Sequence, residues 1–162
     1  MKEYPHLLAE DQDFRERARK VASRVRDISE LLGQPGLLKG GPLPVRVTYD
    51  APCHLLHAQR VSAEPLVILD SIPALERVPL AGHEDCCGGA GTYGITHPEL
   101  GGRISRDKIR AILETGAQVV ATGNPGCMMQ IGAGLLMAGA PVEVVHPIEL
   151  LDESYRRGGL YR

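Results

Sequence analysis

Residues 116–130 read Gly-Ala-Gln-Val-Val-Ala-Thr-Gly-Asn-Pro-Gly-Cys-Met-Met-Gln. The segment at 118–121, three of whose four residues are apolar, is short and is followed closely by turn-forming residues, which is typical of a buried strand. Residues 126–138 then carry apolar side chains at helical spacing. A strand, a short loop and a helix in this order predict one β-α step of an α/β fold.

The same alternation recurs on both sides of this stretch. Further strands are predicted at residues 45–49, 75–80 and 142–145, and further helices at 55–61, 64–72, 98–114 and 147–155. Such alternation predicts a small, mostly parallel sheet with flanking helices, built from Rossmann-like β-α repeats.

The first 40 residues have a different character, because charged residues dominate positions 10–30. Between the charges, apolar residues recur at spacings of three and four, at Phe14, Ala18, Val21, Val25 and Ile28. This pattern predicts one amphipathic helix whose apolar stripe packs on the sheet and which ends at Gly33 and Pro35. We therefore expect an N-terminal helix and linker at 1–40, followed by a cysteine-rich domain at 41–162.

Composition excludes several classes of protein. Eighteen Lys and Arg against 20 Asp and Glu give a net charge of −2, and only 4% of residues are aromatic, so nucleic acid is not an expected partner. No apolar run approaches the roughly 20 residues that span a bilayer. The N-terminus lacks a secretory signal pattern, so the expected location is the cytoplasm.

The four cysteines follow three different predicted strands. Cys53 follows the strand at 45–49, Cys86 and Cys87 follow 75–80, and Cys127 follows 118–121. Because the carboxyl ends of parallel strands meet at one edge of a sheet, these thiols are expected to converge there. Four thiolates favour a soft metal site, either an iron-sulfur cluster or zinc.

Residues next to the cysteines are candidates for supporting that site. Gly88 and Gly89 let the backbone approach a bulky group, and their N–H groups are candidate donors to sulfur. Asn124 is a candidate cap for the following helix, whose N-terminus is expected to favour the Cys127 thiolate. Gln130 lies one helical turn further on. His54 either orients a ligand or is an ordinary structural histidine.

Other interpretations of the motifs remain open. Zinc usually uses C-x-x-C pairs, which this sequence lacks, although a zinc-bound or metal-free docking domain is still an alternative. A vicinal dithiol redox switch at Cys86 and Cys87 leaves Cys53 and Cys127 unexplained. The glycines at 89–94 satisfy G-x-G-x-x-G, but they do not directly follow a strong strand, so dinucleotide binding is not predicted.

Three motifs resemble a known family: Pro52-Cys53-His54, Cys86-Cys87-Gly88 and Asn124-Pro125-Gly126-Cys127. They are similar to the cysteine-rich CCG domain shared by heterodisulfide reductases and the iron-sulfur subunits of glycolate and lactate dehydrogenases. The stretches Cys-Cys-Gly-x-Ala-Gly-x-Tyr at 86–93 and His-Pro-x-Glu-Leu-Leu-Asp at 146–152 look most like the glycolate oxidase iron-sulfur subunit. In many CCG domains the last motif is Cys-x-x-Cys, whereas here Cys127 is followed three residues later by Gln130.

The resemblance implies electron transfer rather than substrate turnover by this chain alone. Its implied cofactor is an iron-sulfur cluster, expected to be 4Fe-4S, with Cys53, Cys86, Cys87 and Cys127 as ligands. The implied partners are a flavin-containing dehydrogenase subunit that oxidises a 2-hydroxy acid and the remaining iron-sulfur domains, which pass electrons toward quinone. Association with the inner face of the membrane would then be peripheral and occur through the complex.

Overall fold

The computed structural model describes residues 1–34 and 36–161. Its strands are β1 (Arg46–Asp50), β2 (Glu76–Val78), β3 (Val119–Thr122) and β4 (Glu143–Val145). Its α-helices are α1 (Tyr4–Leu7), α2 (Arg15–Ala22), α3 (Ile28–Leu32), α4 (Ala63–Asp70), α5 (Thr92–Thr96), α6 (Pro98–Glu114), α7 (Pro125–Met137) and α8 (Pro147–Arg157). A π-helical turn spans His54–Ala58.

The four strands form one sheet in the order β2-β1-β3-β4, and every neighbouring pair is parallel. This confirms the predicted α/β class. The central strands pair Val47 with Val119 and Asp50 with Thr122. All four strands therefore end at the same edge, so the loops that follow β1, β2 and β3 begin side by side.

Side chains alternate between the two faces of the sheet, as the two-residue period of a strand requires. Val47 and Tyr49 of β1 pack with α4 and α8 in one hydrophobic cluster, together with Leu69 and Leu151. On the opposite face, Val120 packs in a second cluster with residues of α6 and α7. This second cluster includes Cys87 and Cys127, so two of the four thiols belong to a packed core.

The N-terminal segment differs from the predicted single helix, because it forms three short helices. Asp27 has an extended backbone conformation and caps α3 in a capping box with Glu30, which starts a new helix where the prediction continued the old one. The predicted stripe does not pack on the sheet as a whole: Ala18 is buried, whereas Phe14 and Val21 remain about half exposed. Pro35, part of the predicted helix end, lies outside the described residues.

The other predicted elements are found close to their predicted places. Helix α6 begins at Pro98 and ends at Glu114 as predicted, whereas the segment predicted as a helix at 55–61 is the shorter π-helical turn. The sequence pattern does not predict helix α5, since it is a single short turn that follows Gly91 and contains Gly94. Across residues 1–34 and 36–161, no helix is long and apolar enough to cross a membrane.

Candidate functional site

All four cysteines line one cavity at the carboxyl edge of the sheet. The cavity has a volume of about 810 Å³, and its walls come from the loops after β1, β2 and β3 and from helices α5 and α7. The predicted residues His54, Gly89, Asn124 and Gln130 line it as well. The structure therefore brings together eight of the nine predicted site residues, while their functions as ligands or supporting groups stay predictions.

Each cysteine is presented by the start of a helical segment or by a tight loop. Cys53 directly precedes the π-helical turn, and Cys127 lies in the first turn of α7. Cys86 and Cys87 lie in the loop between β2 and α5, where the backbone N–H of Gly88 donates to Cys86 Sγ at 3.3 Å. Cys53 and Cys86 are partly exposed, whereas Cys87 and Cys127 are buried, and all four are free thiols.

Gly88 is not among the residues that line the cavity, and its lack of a side chain permits a close backbone contact with α6. Its φ is +86°, and a Cβ built there would lie 2.3 Å from the carbonyl oxygen of Gly101 in α6. Gly94 makes a similar approach to the carbonyl oxygen of Gly89. The glycines thus let the cysteine loop lie directly against helical backbone, which fixes the positions of Cys86 and Cys87.

The thiols interact in two pairs, Cys53 with Cys86 and Cys87 with Cys127. A hydrogen bond from Cys127, supported by the Gly89 backbone N–H, lowers the pKa of Cys87 to about 7. The same shared hydrogen bond, together with burial, raises the pKa of Cys127. The two shifts have opposite directions because the two thiols share one hydrogen bond, and stabilisation of a Cys127 thiolate by the helix N-terminus stays a prediction. Burial and the neighbouring Cys86 raise the pKa of Cys53.

Asn124 links two of the cysteine loops. Its Oδ1 accepts a hydrogen bond from the Cys127 backbone N–H at 3.0 Å, which confirms the predicted helix cap. Its Nδ2 lies 3.4 Å from Nδ1 of His54, the residue after Cys53. His146, by contrast, caps α8 through its own ring nitrogen and is a structural histidine.

Sequence reasoning missed two charged residues beneath the cavity. Asp50, the last residue of β1, and Lys108 of α6 form an ion pair of 2.7 Å between Oδ1 and Nζ, with both side chains 2% exposed. The Cys127 hydrogen bond dominates the lowered pKa of Cys87 and the Asp50 charge only partly opposes it, whereas at Cys127 the Asp50 charge adds to the larger upward effects of the Cys87 hydrogen bond and burial on the pKa. A signal was present, because Lys108 falls at the helical spacing of the buried residues Gly101, Ser105 and Ile112.

The donor set and its surroundings fit an iron-sulfur cluster. The cavity offers four thiols, the donors that iron prefers in such centres, and its wall includes the apolar side chains of Ile95, Met129 and Ala133. Among the residues that the structure describes, no group of three or more His, Cys, Asp or Glu side chains is arranged around a single-ion position.

A parallel α/β domain with cysteines from three strand ends around one cavity defines a cysteine-rich α/β class of fold. Residues 47–132 match the cysteine-rich domain family CCG, and the chain belongs to that family. The match covers β1 through the first half of α7, and therefore includes every cysteine.

Relatives of the whole chain carry names from the metabolism of lactate and glycolate. Lactate utilization protein A of Oceanobacillus iheyensis is 34% identical over 164 residues, covering 99% of this chain and 66% of the relative. Its counterpart from Exiguobacterium is 31% identical, covering 97% of this chain and 65% of the relative. A probable glycolate oxidase iron-sulfur subunit of Bacillus subtilis is 34% identical over 94% of this chain and 35% of its own length. The chain thus spans about 65% of the lactate utilization proteins.

Proposed function

We propose that this chain is an electron-transfer domain of a 2-hydroxy-acid dehydrogenase system, and that its four cysteines hold an iron-sulfur cluster. The observation that carries the proposal is the convergence of Cys53, Cys86, Cys87 and Cys127 on one cavity from three separate loops. Lactate and glycolate, named in the relatives, are both 2-hydroxy acids, which supports this substrate class for the complete system.

The proposed cluster is of the 4Fe-4S type, because the chain supplies four thiols and has Gln130 where the Cys-x-x-Cys motif of many CCG domains would place a fifth. Such a cluster, when bound, accepts and releases single electrons. The protein's part is to supply the thiolates, to exclude water around the buried Cys87 and Cys127, and to donate the Gly88 N–H to Cys86 Sγ. Burial and hydrogen bonds to sulfur are the means by which proteins set a cluster's potential.

The proposed partners are a flavin-containing dehydrogenase subunit, which delivers electrons, and further iron-sulfur domains, which pass them toward quinone. The name of the Bacillus subtilis relative, a probable iron-sulfur subunit of glycolate oxidase, supports a multisubunit assembly. Peripheral membrane association through that assembly is part of the same proposal. The chain itself supplies no catalytic residue for oxidation of the hydroxy acid under this proposal.

The experiment is reconstitution of the full chain with ferrous iron and sulfide in the absence of oxygen. We expect about four iron and four sulfide per chain and an electron paramagnetic resonance signal after reduction by dithionite. Each of four variants, Cys53→Ser, Cys86→Ser, Cys87→Ser and Cys127→Ser, should lose most of the iron or change the signal.

Met129→Leu is the matched control, because Met129 also brings a sulfur atom to the cavity wall but is not a proposed ligand. It should keep the iron, the sulfide and the signal. Stoichiometric zinc in the protein as isolated, or full cluster loading in all four serine variants, would contradict the proposal and favour the docking-domain alternative.

A further inference from the structure

The buried ion pair of Asp50 and Lys108 is unlike the other ion pairs in the described part of the chain. The others leave at least 23% of each side chain exposed, whereas both members of this pair are 2% exposed. Taking two charges out of water is costly, and apolar residues of similar size fill such positions at lower cost. A pair retained at this depth calls for an explanation beyond stability.

The pair is connected to all three cysteine-bearing loops. Asp50 ends β1 just before Cys53, and its Oδ2 accepts a hydrogen bond of 3.1 Å from Thr122, which ends β3 before Cys127. Lys108 Nζ donates a hydrogen bond of 2.7 Å to the carbonyl oxygen of Gly82, which precedes Cys86. One carboxylate and one ammonium group therefore join the three loops underneath the cavity.

The charge of Asp50 is also fixed close to the cysteines. Asp50 ends β1 shortly before Cys53, and its hydrogen-bond partner Thr122 ends β3 shortly before Cys127, so the buried carboxylate lies at the base of both loops. Within a protein interior the effective dielectric constant is well below that of water, so a fixed charge acts strongly on groups nearby. An electron added at these sulfurs would feel the same field.

We propose that Asp50 and Lys108 are a positioning pair that holds the three cysteine loops in place and sets the reduction potential of the site. The part that concerns the potential rests on the proposed cluster, whereas the part that concerns the loops does not. Because the pair carries no net charge, removing only the Asp50 charge leaves Lys108 uncompensated and favours the reduced, more negative state of a bound cluster.

The first test is a redox titration of the reconstituted chain that is monitored by electron paramagnetic resonance. Asp50→Asn should shift the midpoint potential upward, and the double variant Asp50→Asn with Lys108→Met should return it toward the wild-type value. Asp70→Asn is the matched control, since it removes the same charge from an exposed pair with Arg77 and should leave the potential unchanged. A merely structural role would not produce this pattern.

Thr122→Val is the second variant, in case Asp50→Asn fails to fold. It removes only the hydroxyl group that donates to Asp50 Oδ2. The carboxylate then presents more of its charge to the sulfurs, and the midpoint potential should fall. A potential equal to that of the wild type in every loaded variant would overturn the electrostatic part of the proposal.

The second test uses the metal-free chain and the dithiol reagent phenylarsine oxide. Its arsenic bonds to two thiol sulfurs, and its oxygen leaves with the two thiol protons as water. Because Cys86 and Cys87 are adjacent in the sequence and capture arsenic wherever the loops lie, the test uses the Cys86→Ser background, in which capture requires thiols of different loops held close together. In that background Asp50→Asn or Thr122→Val should weaken capture about tenfold while the circular dichroism stays that of a folded chain. Undiminished capture in both variants would overturn the positioning part, and this result is independent of whether the wild type takes up a cluster.

Discussion

Gly88 is the point at which the cysteine loop touches helix α6, and its environment leaves no room for a side chain. A Cβ there meets the Gly101 carbonyl oxygen at 2.3 Å, and its φ of +86° is unfavourable for residues other than glycine. We expect Gly88→Ala to lower the free energy of unfolding by about 3 kcal/mol, from steric overlap and backbone strain together. Urea denaturation of the metal-free chain measures this.

Gly102 provides a matched control on the same helix. A Cβ at Gly102 meets nothing closer than the Arg106 guanidinium, at 3.9 Å. Gly102→Ala should therefore stabilise the chain by about 0.5–1 kcal/mol, as expected for glycine replaced in a helix interior. Equal effects of the two substitutions would show that the loop does not lie against α6 as described.

Asn124 acts at the first turn of α7, where its side chain holds the Cys127 backbone N–H. Asn124→Ala should cost about 1 kcal/mol of stability, because one helix N–H loses its partner. Asn124→Ser should recover most of that loss, since serine is also a good cap. Thermal unfolding of the metal-free variants measures both, and a serine variant as unstable as the alanine variant would argue against the cap.

At the scale of elements, helix α3 shows how one carboxylate can make local stability depend on pH. Glu30 accepts a hydrogen bond from the Asp27 backbone N–H at 2.7 Å and pairs with Lys2 at 2.9 Å. The Asp27 hydrogen bond is the largest cause that lowers the pKa of Glu30 below 4.5. A lowered carboxyl pKa adds stability above the unfolded value, and this contribution disappears as pH falls through the folded value.

Glu30→Gln tests this directly, because glutamine keeps the acceptor of the capping box without the charge. The variant should melt below the wild type near neutral pH, and the difference should begin to shrink as pH falls below 4.5 and vanish once pH is below the lowered pKa of Glu30. Glu16→Gln removes a charge from an exposed pair with Arg19 and is the control. A Glu30→Gln difference that persists undiminished in acid would show that the charge is not its source.

Comparison of α6 with the N-terminal helices explains what the sequence can and cannot predict. Helix α6 was predicted correctly from Pro98 to Glu114, because proline at its start and Gly116 beyond its end act locally. The periodic pattern at 10–30 identifies an amphipathic segment, but it does not specify a surface for that segment to cover. The extended conformation of Asp27 then divides it, and Phe14 and Val21 stay exposed.

The same distinction applies to the site. Convergence of the cysteines followed from one topological rule, since parallel strands end at a common edge. The Asp50–Lys108 pair could not be predicted from that rule, because it depends on how α6 packs across the sheet. A charged residue within a charged helix is, moreover, usually solvated. The available clue was the position of Lys108 on the buried stripe of α6. The stripe alone does not identify the partner of Lys108, which is determined by how the helix packs on the sheet.

At the scale of the whole molecule, the two faces of the sheet should respond differently to loss of the proposed cluster. The core formed with α4 and α8 contains no cysteine, whereas the core formed with α6 and α7 includes Cys87 and Cys127. A ligand that binds only the folded state adds its binding free energy to stability. The reconstituted chain should therefore melt at a higher temperature than the metal-free chain, by about 2–4 °C for each kcal/mol of binding.

Hydrogen exchange locates that effect. Cluster loading should slow exchange most in the loops that carry the four cysteines and in the first turn of α7, since those backbones gain fixed ligand bonds. Amides of β1 and β3 should be protected in both states, because β1 and β3 are the two central strands and Val47 and Ala121 lie in the cysteine-free core. Loss of protection throughout the metal-free chain would instead mean that the fold depends on the cluster, as in small domains that fold only around their metal.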